Sequence, residues 1–267
     1  MGEVASYPNG TFCWVDLGTS DLNGARRFYE ALLGWEAEQV ETPDPGVYLV
    51  GRIDGKDVAG IHDHSGGGAH DWDSYISVDD LDGTLEAVRS LGGVVEFGPH
   101  DIPGSARMSM ITDGGGARVC LWQAEGFAGA QLVNEVGTWT WSDLSTRAPE
   151  AAEAFYRGLF GWAFQELAPG YWGIALGDLL IGGMRMMSEG QAGAPPSWVP
   201  YFVVEDADRA AERVHELGGR VREAPRDVPG GRFLVIADPP GSALGLIEMG
   251  PDGPSRGLDA REIRPSG

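Results

Sequence analysis

Lysine is almost missing from this chain. Lys56 is the only one in 267 residues, and 19 Lys+Arg stand against 40 Asp+Glu, a formal net charge of −21. A surface so acidic repels phosphate backbones and anionic lipid, which excludes general nucleic-acid binding and electrostatic attachment to membranes. Cysteine is scarce too: two residues make no disulfide scaffold, and a reducing cytoplasm is the expected compartment. No apolar run approaches the ~20 residues needed to cross a bilayer. The stretch from Met1 to Gly10 has neither the basic start nor the apolar core of a secretory signal, so none is expected. What is abundant is glycine, 42 residues, roughly twice the usual ~7% share. With 42% hydrophobic and 22% charged residues the composition is globular, and the glycine excess suggests many short strands separated by tight turns.

The chain repeats itself once. Phe12-Cys13-Trp14-Val15-Asp16-Leu17 corresponds to Trp139-Thr140-Trp141-Ser142-Asp143-Leu144 at an offset of 127. Phe28-Tyr29 followed by Leu33-Gly34-Trp35 returns as Phe155-Tyr156 followed by Phe160-Gly161-Trp162, again at 127. Tyr75 to Asp80 matches Tyr201 to Asp206, Leu91-Gly92-Gly93 matches Leu217-Gly218-Gly219, and Pro103-Gly104 with Arg107 matches Pro229-Gly230 with Arg232. Order and spacing held over such a distance mean duplication. The expected organisation is two homologous domains, 8–126 and 135–250, with 127–134 as linker and 251–267 as a loose polar tail.

Each half subdivides again. Val15 to Thr19 reads as a strand, and Ser20 or Asp21 caps a helix from Leu22 to Leu33 that Gly34 ends. Ala25, Phe28, Tyr29, Leu32 and Leu33 fall at helical spacing on one buried face. Strands follow near Tyr48–Arg52 and Asp57–Ile61. A second unit then opens with a strand from Asp73 to Val78 and a helix from Leu81 to Leu91, followed by strands at 94–97, 107–112 and 117–122. The second half repeats this, with helices near Ala148–Leu159 and Ala207–Leu217. The pattern is βαβββ twice per domain, an α+β fold.

Two βαβββ units per domain, with the Phe-Tyr…Leu-Gly-Trp and Phe-Tyr…Phe-Gly-Trp signatures, resemble the glyoxalase, bleomycin-resistance and extradiol-dioxygenase superfamily, also called vicinal oxygen chelate. The resemblance covers nearly the whole chain and looks closest to two-domain, glyoxalase-like members. It implies a U-shaped mixed sheet, flanked by helices, whose concave cup holds a small molecule and often a metal ion. By the family's spacing the metal positions would fall on Trp14, Asp73 and Cys120 in the first half and on Trp141, Val199 and Gly245 in the second. The second set holds no donor for a hard cation, and the first mixes hard and soft groups without histidine. No metal and no other cofactor is therefore expected. His62, His64 and His70 have chelating spacing, but the second copy has no histidine at 186–197, which favours a polar loop.

Strand alternation then nominates the cup's residues. Phe12, Trp14, Asp16 and Gly18 share one face, as do Asp73, Tyr75 and Ser77, and Cys120 and Trp122; in the second half Trp139, Trp141 and Asp143 share a face. Trp14, Asp16, Tyr75 and Arg107 recur as Trp141, Asp143, Tyr201 and Arg232. Asp16 and Asp143 are candidate bases, and Trp14, Tyr75, Arg107, Trp122, Trp141, Tyr201 and Arg232 candidate ligand contacts. An equally ready reading makes the Asp–Arg pairs buried structural ties and the indoles space-fillers. Cys13 and Cys120 lie at opposite parity, which argues against a disulfide between them.

The expectation is a metal-free, glyoxalase-like protein that binds a small, partly aromatic organic molecule, in resistance to or tailoring of a secondary metabolite as the resemblance implies. Alternatives are a metal-independent isomerase, cyclase or hydroxylase-type enzyme with Asp16 or Asp143 as base, a metal-dependent lyase or dioxygenase, and a scaffold whose cups are closed by their own tryptophans. The expected partner is a small molecule, with no nucleic acid and no membrane, and the chain is expected as a monomer or homodimer.

Overall fold

A computed structural model describes residues 2–42, 46–64, 70–188, 191, 193–228 and 230–250. The expected tail, 251–267, lies outside the described residues, as does most of the histidine-flanked loop, 65–69. Among the described residues are sixteen strands and four helices in the order βαβββ four times over. The first domain contains β1 (Phe12–Thr19), α1 (Leu22–Leu33), β2 (Glu36–Val40), β3 (Tyr48–Ile53), β4 (Lys56–Asp63), β5 (Asp71–Ser77), α2 (Leu81–Ser90), β6 (Val94–Ile102), β7 (Ala106–Thr112) and β8 (Arg118–Ala124). The second contains β9 (Trp139–Thr146), α3 (Pro149–Phe160), β10 (Ala163–Ala168), β11 (Tyr171–Leu176), β12 (Leu179–Met186), β13 (Ser197–Val204), α4 (Ala207–Glu216), β14 (Arg220–Val228), β15 (Gly231–Ala237) and β16 (Ala243–Met249).

The helices start and stop where their end residues dictate. Asp21 accepts from the Gly24 amide at 2.8 Å, and Gly34 at φ 74° turns the chain out of α1. Asp80 and Asp206 cap α2 and α4 the same way, through the Gly83 and Arg209 amides. Strand β2 carries no alternation to announce it, because Ala37 alone is buried among exposed and half-exposed neighbours.

In each unit the first strand pairs parallel with the last, β1 with β4 and β5 with β8. The two units of a domain join antiparallel through β1 and β5, or through β9 and β13. The resulting orders are β2-β3-β4-β1-β5-β8-β7-β6 and β10-β11-β12-β9-β13-β16-β15-β14, bridged between domains at Ser197 and Arg118. Helices α1–α4 pack against the sheets, and the cup is the sheet face turned away from them.

Both joints carry an irregularity that changes which side chains share a face. In β1 Trp14 pairs with Tyr75, but Phe12 pairs with Ile76, so one residue is bulged out between Phe12 and Trp14. Phe12 therefore does not follow Trp14 into the cup. It packs against Trp139, Trp162 and Trp198 of the other domain, with ring centroids 6.4, 5.7 and 4.9 Å away. Trp139 leaves the second cup for the same reason, because Tyr201 pairs with Trp141 while the next residue, Phe202, pairs with Trp139.

The repeated signature does its work between the domains. Trp35 Nε1 donates to the Gly137 carbonyl at 2.7 Å, and Trp162 Nε1 donates to the Gly10 carbonyl at 2.8 Å. The Tyr29 hydroxyl donates to Asp238 at 3.0 Å, and Tyr156 hydrogen-bonds Asp113. Trp72 and Trp198 in turn donate to those two tyrosine oxygens. Every bond in the set has its counterpart in the other half, and each Tyr–Asp and Trp–Gly bond crosses the domain boundary.

Candidate functional site in the two cups

The centre of each cup is a carboxyl held by two phenols. Asp16 on β1 accepts through Oδ2 from Tyr48 on β3 at 3.1 Å and from Tyr75 on β5 at 3.0 Å. Asp143 on β9 accepts through Oδ1 from Tyr171 on β11 at 3.1 Å and is hydrogen-bonded by Tyr201 on β13. Burial holds all four phenols above their ordinary pKa, and the neighbouring carboxyl adds to this, so they remain protonated donors. Space for each group comes from glycine. A Cβ on Gly60 would stand 2.0 Å from the Tyr48 oxygen, and one on Gly183 would stand 2.2 Å from Asp143 Oδ1 and 2.4 Å from the Tyr171 oxygen. Gly60→Ala is expected to expel Tyr48 from Asp16 and cost about 1–3 kcal/mol by overpacking, read as a lowered urea midpoint; an unshifted midpoint would refute this account of the glycine.

The indoles differ between the halves. Trp141 is half-buried and donates from Nε1 to Asp143 Oδ1 at 2.7 Å. Trp14 is fully buried, meets Phe127 edge to face at 5.0 Å, and donates to the Tyr48 oxygen at 3.0 Å instead of to Asp16. Trp122 packs edge to face on Tyr75 at 5.6 Å and closes the same aromatic wall.

The remaining surroundings diverge further. In the first cup Asp73 lies opposite Asp16 in the β1–β5 register and pairs with Arg118 at 2.9 Å. Burial, against the pull of Arg118, pushes the Asp73 carboxyl up to about 6. His62 on β4 faces Asp16, with Nδ1 3.7 Å from Oδ2. Burial works against charge on that ring, but Asp16 outweighs it and raises the pKa. In the second cup the position paired with the tyrosine of β11 holds Arg185, bound to Glu223 at 2.8 Å, and Val199 stands where Asp73 stands in the first. Val199, Tyr201, Val203, Phe233, Val235 and Ile247 form an apolar cluster apart from the main core, with Trp141 against it.

The structure brings Trp14, Asp16, Tyr75 and Trp122 together, and likewise Trp141, Asp143 and Tyr201. It does not bring in the two arginines. Arg107 binds Asp82 at 2.9 Å and Asp101 at 2.9 Å, and Arg232 binds Asp208 at 3.0 Å and Asp227 at 2.8 Å. Their partners in the ladder, Gln123 and Glu248, hold the first backbone amides of α2 and α4, so both arginines sit on the helix face. Alternation from Cys120 and Trp122 places Met108 and Met110, not Arg107, on the cup side of β7. The Asp–Arg ties expected inside the cups are thus ties between a helix and an outer strand. His62, expected in a loop, is a half-buried strand residue of the first cup. Tyr48, Tyr171, Arg118 and Arg185 were not singled out by the sequence, and Asp73, placed there at a metal position, is instead tied to Arg118. Cys13 and Cys120 are free and buried.

The donor set does not suit a metal ion. Gly245 is glycine because the Tyr201 ring lies flat on it, with Cδ1 only 2.1 Å from a built Cβ, and Val199 and Trp141 offer no lone pair to a cation. In the first cup Asp73 is engaged by Arg118, and burial keeps the Cys120 thiol well above its ordinary pKa. Among the described residues no group of three or more His, Cys, Asp or Glu is arranged to hold an ion.

The duplicated βαβββ pair agrees with a family match in each half. Residues 11–121 match the Glyoxalase/Bleomycin resistance protein/Dioxygenase superfamily and residues 139–247 match the Glyoxalase-like domain, and the chain belongs to that superfamily. It is similar to the Mycobacterium bovis protein called "Putative glyoxylase CFP32", with 39% identity over 94% of this chain and 99% of that one. It is also 32% identical to "Anthracycline biosynthesis protein DnrV" of Streptomyces peucetius, over 92% of this chain and 96% of that protein. In fold it is similar to the Mn(II)-bound glyoxalase from Novosphingobium aromaticivorans, with TM-score 0.64 and 15% identity over 91% of this chain and 83% of that one. Among the described residues no helix is long and apolar enough to cross a membrane.

Proposed function

We propose that the cups bind a small, partly aromatic organic molecule without help from a metal ion. The observation that carries this reading is the pair of aromatic-walled cups, each centred on a carboxyl held by two phenols, with no group of three or more His, Cys, Asp or Glu among the described residues arranged to hold an ion. Planar apolar area from Trp14, Trp122 and Tyr75, or from Trp141, Tyr201 and Phe233, supplies affinity, and the few polar groups fix orientation. The similarity to a protein of anthracycline biosynthesis supports a fused-ring secondary metabolite as ligand, met in its tailoring or in resistance to it.

The test is titration of chelator-treated protein with 2-methoxyanthraquinone, followed by calorimetry. Saturable binding is expected without added metal. Trp14→Ala is expected to weaken the first cup and Trp141→Ala the second, each about tenfold. Binding that returns only with Mn(II), or none at all, overturns the proposal.

An acid–base role is the second reading, and one observation favours it: a nearly buried carboxyl, Asp73, titrating near 6 beside Asp16. It moves the candidate base of the first cup from Asp16 to Asp73. Metal-independent proton exchange on a ring ketone, lost in Asp73→Asn, is the result that would establish it.

A further inference from the structure

Two polar atoms in the first cup lack a normal hydrogen bond. Asp16 Oδ1 is buried without a partner although the residue is only 2% exposed, and His62 Nδ1 is buried beside it with only a long 3.7 Å approach to Asp16 Oδ2. A buried acceptor left unmet is disfavoured, so an orphan of this kind in a ligand cup asks for an occupant. The second cup shows how the deficit arises. There the indole of Trp141 joins the two phenols on Asp143, and neither oxygen of Asp143 is buried without a partner. In the first cup Trp14 gives its N–H to the Tyr48 oxygen, both phenols crowd onto Oδ2, and Oδ1 is left free.

We infer that the first cup recognises a hydroxyl group on its ligand, which donates its proton to Asp16 Oδ1 and accepts one from His62 Nδ1. This rests on the reading of the cups as organic-ligand sites and assigns the first of them its chemistry. A hydroxyl is the simplest group that gives and takes a hydrogen bond at one atom, as a carboxyl and an imidazole N–H side by side require. Burial opposes charge on the imidazole, but Asp16 raises its pKa, which favours a proton on Nδ1. The ring of His62 stacks parallel on Tyr48 at 6.3 Å with an interplanar angle of 4°, which fixes the direction of Nδ1. A phenol satisfies the geometry best, because its oxygen lies in the plane of the ring that the aromatic wall stacks. The second cup asks for a different group. Its counterpart of His62, Arg185, has a buried unpartnered Nε, which can only donate.

The experiment compares 2-hydroxyanthraquinone, 2-methoxyanthraquinone and decahydro-2-naphthol by calorimetry on the whole chain, native and as His62→Phe and Asp16→Asn. His62→Phe keeps the stacked ring, and Asp16→Asn turns an N–H toward the orphan position, because the phenols still require the oxygen. The native protein is expected to prefer the hydroxyl over its methyl ether by about tenfold, and each variant to reduce that preference below about twofold while still binding the ether. Equal affinity for hydroxyl and ether in the native protein overturns the hydroxyl assignment but leaves the cups as ligand sites. A preference that survives both variants overturns it too. If neither anthraquinone binds, this inference and the reading beneath it fall together. Binding of decahydro-2-naphthol as tight as that of the phenol supports the hydroxyl and removes the requirement for a flat ring.

Discussion

Phe12→Ala is expected to cost about 3–5 kcal/mol of stability, the largest effect of any single truncation we consider. Phe12 is 1% exposed and fills the gap between Trp139, Trp162 and Trp198, so its loss opens a cavity that three large rings cannot collapse into without losing their own hydrogen bonds. Trp162 is fixed by the Gly10 carbonyl, Trp198 by Tyr156, and Trp139 by the Trp141 carbonyl. The measurement is the shift of the urea unfolding midpoint, and Phe12→Leu, which keeps most of the volume, should lose less than half as much. A loss below about 1 kcal/mol would show that the cluster repacks and that Phe12 is not the plug between the domains.

Asp73 carries the second large effect, as a dependence on pH. Its carboxyl has an ordinary value of 3.8 and is raised to about 6 in the fold. Between those values the folded chain holds a proton that the unfolded chain has released, so stability is greatest at the acid end of the window and falls as pH rises through it. A shift of that size corresponds to about 3 kcal/mol. Asp73→Asn keeps the shape and removes the titration. The native protein is therefore expected to lose about 2.4 kcal/mol of that relative to the variant between pH 4 and pH 7, read from urea midpoints at several pH values. Parallel profiles would mean that Arg118 compensates the buried charge throughout.

Much of this molecule was legible in its sequence, and the failures have physical causes. Caps and glycines placed the two helices of the first half, and repetition carried them onto the second, so all four fall within a residue at each end. Strand parity was right from Trp14 through Asp16 and wrong at Phe12, because one bulged residue reverses which face the strand presents. Arg107 and Arg232 recur at matching positions and so looked like site residues. Duplication copies helix-to-strand ties as faithfully as cup residues, and the register that pairs Arg107 with Gln123 and Arg232 with Glu248 cannot be counted along the chain. Tyr48 and Tyr171 escaped because the loop before β3 is longer than the loop before β11, which moves the offset there from 127 to 123. The trace they left is a tyrosine twelve residues before a glycine, Tyr48 and Gly60, then Tyr171 and Gly183. His62 and Asp73 were noticed for the wrong reason, as metal candidates, because their place beside Asp16 depends on pairing across the sheet and not on their neighbours in the chain.

The crossing bonds of the signature have a consequence for how the cups can differ. Tyr29 and Trp35 find their acceptors in the second half, and Tyr156 and Trp162 find theirs in the first. Two separate copies of one half meeting through those bonds would be bound to symmetry, so any change in one cup would appear in the other. Joining the halves in one chain replaces an association that dilution weakens with one held at millimolar effective concentration. It also releases the cups from having to be the same. Histidine opposite arginine, aspartate opposite valine and a buried orphan carboxyl oxygen opposite a satisfied one are differences that only a fused pair can keep, and through them a single duplicated scaffold presents two recognition chemistries at once.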